Sequence, residues 1–256
     1  MVKTQTCQSN KRAAFGSYKV VRLAAILGLL MTAPAWADLE VPAGTSSNTS
    51  GGVFDLANTD LLVGGTLGVD DGQIINVRNV VIQPGGVING GTGAISLSGN
   101  WSNGGSFAAG AGSVNFVDSP TGSSNATISG NTSFSTVNFT SALGKTYTFA
   151  AGSSQQISSL LTIRGTADRP IVLVSSVPGQ LASLSLNGNQ QISNVAVDWI
   201  AATGVRLAAG QANRNPTGVA PRWLGDKEVV PTLGIGALAL LTLLMIFMAR
   251  RMRRKP

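Results

Sequence analysis

Between residues 53 and 215 the apolar positions come in short runs, and most of these runs alternate with polar positions. "VRNVVIQPG", "AISLSGN", "SVNFVD", "TVNFTS", "TYTFAAG", "LLTIRG", "PIVLVSS" and "NVAVDW" are the clearest. A period of two places alternate side chains on one face of an extended chain, which is the pattern of half-buried strands. Gly, Asn or Pro interrupts the runs about every ten residues, a spacing of turn signals typical of all-β chains. No stretch of this region carries apolar residues at i, i+3, i+4 and i+7. The pattern predicts one all-β domain over 53–225 with no helix in it.

The runs also repeat. "LSGN" at 97–100, "ISGN" at 128–131 and "LNGN" at 186–189 recur, as do "FAAG" at 107–110 and 149–152 and "LAAG" at 207–210. Residues 130–152 align without a gap on 188–210, which sets Val137 against Val195, Phe139 against Val197 and Phe149 against Leu207. Matched apolar positions with free identity elsewhere are what stacked turns need, since each turn buries its inner face against the next. The expectation is a parallel β-solenoid (β-helix), with a β-sandwich as the alternative. At about 20–25 residues per turn there would be about eight turns, some 40 Å at the ~4.8 Å strand spacing. The offset of 58 would then be two or three turns. The Ser-, Gly- and Asn-rich stretch 38–52 reads as a flexible leader, and 226–231 as a linker.

The two ends follow a different pattern. Residues 1–22 carry Lys3, Lys11, Arg12, Lys19 and Arg22 and no acid, then the apolar run 23–31, then Ala35-Trp36-Ala37. A basic region, a short apolar region and a small-x-small site make 1–37 a secretory signal peptide, with cleavage set by Ala35 and Ala37. At the other end, residues 229–249 hold no charge, and nine of 232–249 are Leu, Ile or Phe. At about 1.5 Å per residue such a helix crosses a hydrocarbon core of about 30 Å. The segment 232–249 is therefore expected to be a transmembrane helix. Arg250, Arg251, Arg253, Arg254 and Lys255, in the tail 250–256, would hold its end on the cytoplasmic side. The precursor is then single-pass, with its body exported across the inner membrane.

Charge and composition narrow the chemistry. The chain has 18 Lys and Arg against 11 Asp and Glu, net +7. Ten of the basic residues belong to the two end segments, so the body 38–231 is slightly acidic and nucleic-acid binding is not expected. There is no His, and the single Cys is Cys7. Ser-His-Asp, Cys-His and His-metal chemistry are thereby excluded from the body. Paired carboxylates remain conceivable, with Asp70, Asp71, Asp118, Asp168 and Asp198 as candidates. Asp70-Asp71-Gly72 reads more simply as a turn, and no spacing gathers these acids on one face. "GGTLGVDDG" (64–72) approximates a calcium-binding nonapeptide but occurs once, whereas such cages are built from tandem copies. No cofactor, metal or catalytic residue is expected. Trp101, Trp199 and Trp223 are expected to be buried, with Trp223 capping the last turn.

Two stretches resemble known families. Residues from "GNWSNGGSFAAGAGSVNF" through "TADRPIVLVSS" resemble β-helical bacterial surface proteins. The ending "VPTLGIGALALL…RRMRRK" resembles the IPTL type of C-terminal sorting domain, with Val230, Pro231, Thr232 and Leu233 in the motif, an apolar span and an Arg cluster in order. Gly236 and Ala237 stand where that family usually has Trp-Gly. The resemblance implies processing by an exosortase-type membrane enzyme and a place at the cell surface or in an extracellular polysaccharide matrix. The function expected is structural or adhesive, not enzymatic, with exopolysaccharide as a partner. The rival is a polysaccharide lyase or hydrolase on a β-helix.

Overall fold

The computed structural model describes residues 38–119, 121 and 123–224. Signal residues Ala35 and Ala37, the motif Val230–Leu233, the span 232–249 and the basic tail Arg250–Lys255 lie outside the described residues. Within them the chain winds as a parallel β-solenoid of about eight turns, and every strand pair is parallel. That removes the sandwich alternative, whose strands are antiparallel. No helix occurs among the described residues.

Each turn is three-sided. On the first face Leu39, Leu61, Val80, Trp101, Ile128 and Phe149 lie in register, one per turn. On the third face Phe54, Ile74, Ile95, Val114, Val137 and Leu161 do the same. The second face is the four-stranded ladder of 46–48, 66–68, 87–89 and 106–108 in the N-terminal half. In the C-terminal half it is formed by 155–157, 184–186 and 202–204. Stacked strand partners are 18 residues apart at the shortest, Ala182 to Ile200, and 29 at the longest, Leu160 to Asn189.

The inward positions form one continuous core. Val137, Phe139, Phe149, Val195, Val197 and Leu207 are all buried, as the alternation predicts. Each such side chain contributes about 1.5–3 kcal/mol on removal from water. In the middle turns the core is aromatic: Phe116 stacks on Phe139 at 4.8 Å, and Tyr147 meets Phe139 edge-on at 4.8 Å. Trp101 is fully buried between Phe107 and Phe134 and donates its indole N–H to Thr132 Oγ1 at 3.1 Å. Trp223 is buried in the closing segment and pairs through Leu207, while Trp199 is half-buried in a left-handed conformation.

Two expectations are corrected. The stretch 38–52 is not a leader: Leu39–Val41 and Ser46–Asn48 are strands of the first turn. Its Ser and Asn residues face outward, where apolarity is not needed, so composition alone hides the strands. The 58-residue offset is not a whole number of turns. Phe139 stacks on Ile163 and then Ile192 of the third face, whereas Val197 stacks on Leu173 of the first. All three faces share the same period of two, so alignment by apolarity finds inward positions without telling one face from another.

Candidate functional site

The corner between the third and first faces carries a ladder of side chains that hold backbone to backbone along the solenoid axis. Asp60 N donates to Asp38 Oδ1 at 2.9 Å, Asn79 N to Asp60 Oδ1 at 3.1 Å, Asn100 N to Asn79 Oδ1 at 2.8 Å and Thr127 N to Asn100 Oδ1 at 2.7 Å. Each of these residues immediately precedes an inward residue of the first face. The short Asp or Asn side chain satisfies a backbone donor that turns away from the sheet ladder, as in an Asx turn but reaching to the next turn of the coil. The first two rungs are carboxylates stacked one above the other, which would repel. Arg78 lies against both, with Nε at 2.7 Å from Asp60 and a terminal nitrogen at 3.9 Å from Asp38. The hydrogen bond from Arg78 holds the Asp60 carboxyl below the usual carboxylate range.

Beside this ladder lies a groove of about 680 Å³, within the ordinary size range of ligand sites. It follows the corner past five successive turns, about 19 Å at the strand spacing. Buried Val77 and Leu97 form its floor, and Asp38, Asn58, Asn76, Arg78, Asp118 and Thr121 present polar groups to it. One wall is formed by Val117, Asp118 and Thr121. Thr121 reaches back to the second turn, where Asn58 Nδ2 donates to its hydroxyl at 3.4 Å, and Ser98 Oγ donates to Asn58 Oδ1 at 3.3 Å.

The backbone lining the groove is strained. Ala57, Asn58 and Asn76 have φ of +47°, +67° and +54°; a left-handed conformation costs Ala57 about 1–2 kcal/mol, and less for the two Asn, whose short polar side chains tolerate it. Asp55 offsets part of this, accepting from Ala57 N at 2.8 Å and Asn76 Nδ2 at 2.9 Å. Those bonds, the backbone one foremost, hold the Asp55 carboxyl below its usual range. Backbone held in sparsely populated conformations gathers where a ligand or a mechanism requires it.

Behind the groove sits Lys145, only 1% exposed. Its ammonium donates to the carbonyl oxygens of Ser98 and, at 3.1 Å, of Val117, and lies 5.7 Å from the centre of the Tyr147 ring. The chain thus pins three successive corners with one cation. Burial pushes the Lys145 pKa down, an effect that the charge of Asp118 opposes, and pushes the Tyr147 hydroxyl up.

Of the acids singled out in the sequence, only Asp118 reaches the groove, and its Oδ2 accepts from Ala142 N at 2.8 Å. Asp70 and Asp71 form a tight turn at a different corner, where Asp70, Gly91 and Gly110 stack in left-handed conformations. A Cβ on Gly91 would lie 2.2 Å from Asp70 O, so this corner requires Gly there. Asp168 stands in an exposed bend, and Asp198 Oδ1 accepts from Val219 N at 2.8 Å. Among the described residues no three acidic side chains are grouped as a metal site would require. Asp38, Asn58, Asp60 and Arg78 were not singled out in the sequence. The signal that marks the ladder is an Asp or Asn directly before an apolar residue at about one-turn intervals. Comparison of the chain with known protein families, curated proteins and solved structures finds no match.

Proposed function

We propose that this chain is an exported structural or adhesive protein of the cell surface, whose solenoid binds an extracellular polysaccharide along the corner groove. The signal-like residues 1–37 direct export. The Val230-Pro231-Thr232-Leu233 motif, the apolar span and the basic tail deliver the body to an exosortase-type enzyme, which processes the tail. A parallel solenoid without disulfides suits a matrix component. Its shape comes from repetition and backbone hydrogen bonding, so it needs no redox chemistry to persist outside the cell.

The observation that carries the adhesive part is the groove. It runs along the axis as a polymer would, it is rimmed by amide, guanidinium and carboxylate groups that suit sugar hydroxyls, and its lining backbone is strained. The test is co-sedimentation of the host-produced protein with its host's exopolysaccharide. Asn58→Ala and Arg78→Ala should each weaken binding about tenfold, roughly 1.4 kcal/mol, while Arg164→Ala on the outer sheet leaves it unchanged. Equal binding by all variants excludes the groove. Shortening of the polymer that Asp118→Asn abolishes moves the protein to the enzyme class.

A further inference from the structure

The two ends of the solenoid differ in closure. At the C-terminal end, residues 205–224 lie across the free edges of the last three strands. Asn213 Nδ2 and Oδ1 pair with the C=O and N–H of Val197, both at 2.9 Å. Gln190 and Gln211 meet Arg206 O, Ala208 N and Ile192 O, and Pro221 O accepts from Ala202 N. At the N-terminal end, strands Leu39–Val41, Ser46–Asn48 and the stretch 53–55 are each paired on one side only among the described residues. Phe54 occupies the inward column whose next members are at most 2% exposed, yet it is 42% exposed itself, with Val53 beside it at 62%. The difference arises because no turn lies beneath it among the described residues. Natural sheets seldom leave such an edge uncovered.

Charge is divided along the same axis. Residues 38–78 hold Asp38, Glu40, Asp55, Asp60, Asp70 and Asp71 against Arg78 alone, whereas 145–224 hold six Lys and Arg against Asp168 and Asp198. Both salt bridges among the described residues involve Arg78, so Glu40 and Asp55 at one end and Arg206, Arg214 and Arg222 at the other have no ionic partner there. Val205 and Val219, 41% and 39% exposed, sit in the basic closing segment.

We infer that the solenoid stacks head to tail, the open acidic first turn of one copy seating Phe54 and Val53 against the basic closing segment of the next. This rests on the reading that the signal peptide is removed before Asp38, which leaves no chain to cover the first turn. An acidic end cannot meet its own kind favourably, so head-to-head pairing is disfavoured. A heterologous contact of this sort does not close on itself and extends into filaments, which suits a matrix component.

The test is sedimentation velocity of the host-produced protein at low and high salt, with its N-terminus sequenced. Wild-type protein beginning at Asp38 should form a ladder of oligomers at 20 mM NaCl (about a 20 Å screening length) that disperses at 0.5 M, where screening falls below about 5 Å. Glu40→Lys with Asp55→Lys reverses one end, and Arg214→Glu with Arg222→Glu reverses the other. Each double variant alone should stay monomeric, and the two mixed should regain the ladder. Circular dichroism checks that both remain folded. A monomer at low salt, a species that stops at the dimer, or no recovery on mixing overturns the inference. A chain still carrying residues ahead of Asp38 overturns the signal removal on which it stands, whatever its oligomeric state.

Discussion

Replacing Lys145 by Met isolates what one buried cation does for the coil. Met matches the length and bulk of the lysine stem but donates nothing, so the carbonyl oxygens of Ser98 and Val117 lose a charged donor. Hydrogen bonds to charged groups contribute about 1.5–3 kcal/mol each, roughly 3–6 kcal/mol for the pair. Part of this is offset in the wild type by the cost of holding an ammonium at 1% exposure, the same cost that depresses its pKa. The net loss expected for Lys145→Met is about 2–3 kcal/mol, which at an m-value of about 2 kcal/mol per molar lowers the urea midpoint by about 1 M. Fluorescence of buried Trp101 at a neighbouring corner reports the transition.

The pH dependence supplies a second readout with a fixed sign. Because the folded pKa of Lys145 lies below its ordinary 10.5, the folded chain releases that proton before the unfolded one does. Wild-type stability therefore rises with pH through the depressed value up to about 10.5, and the Met variant lacks that rise. Tyr147, whose pKa is raised by burial, acts in the opposite direction above about pH 10, and does so in both proteins. The gap between wild type and variant should be wider at pH 9.5 than at pH 7. A variant as stable as the wild type, or a gap that narrows with pH, would refute the role given to Lys145.

Phe139→Ala removes a ring that is 2% exposed and packed between Phe116 and Tyr147, so a loss of about 3–5 kcal/mol is expected from thermal or urea melts. Asp60→Asn keeps the rung acceptor for Asn79 N but not the charge opposite Arg78. Since the folded pKa of Asp60 is depressed, wild-type stability present above its ordinary 3.8 is lost as pH falls through the folded value, and the Asn variant should show a shallower acid decline. Identical acid curves would remove Asp60 from the account.

The parts of the fold legible in the sequence are those that repeat in every turn. Alternation marked Phe139, Val197 and Leu207 as inward, and turn residues at ten-residue intervals argued for a coil of short strands. The assignment of residues to faces was not legible, because a solenoid corner adds length without altering the period of two. Successive turns differ in length, 24 residues from Phe139 to Ile163 and 29 from Ile163 to Ile192, so the gapless offset carried Phe139 past Ile192 of its own face to Val197 of another. The site was less visible still. Its ladder joins residues about one turn apart, Asp38 with Asp60 and Asn79 with Asn100, through contacts that no local pattern reports. Lys145 reads as a surface lysine in "LGKTYTF" and becomes a core residue only because Ser98 and Val117 close over it.

Export followed by removal of both end segments is the claim on which the rest depends, and terminal mapping of the protein tests it most directly. The body, tagged within an exposed turn, is expressed in its native host beside Pro231→Ala and Thr232→Ala, and intact masses are measured in the inner-membrane and outer fractions. The account predicts wild-type protein outside the inner membrane that begins at Asp38 and has lost about 25 C-terminal residues, with both variants retained at full C-terminal length. Wild-type protein stable in the inner membrane with Lys255 and Pro256 still attached would contradict it, and would make the apolar ending an anchor.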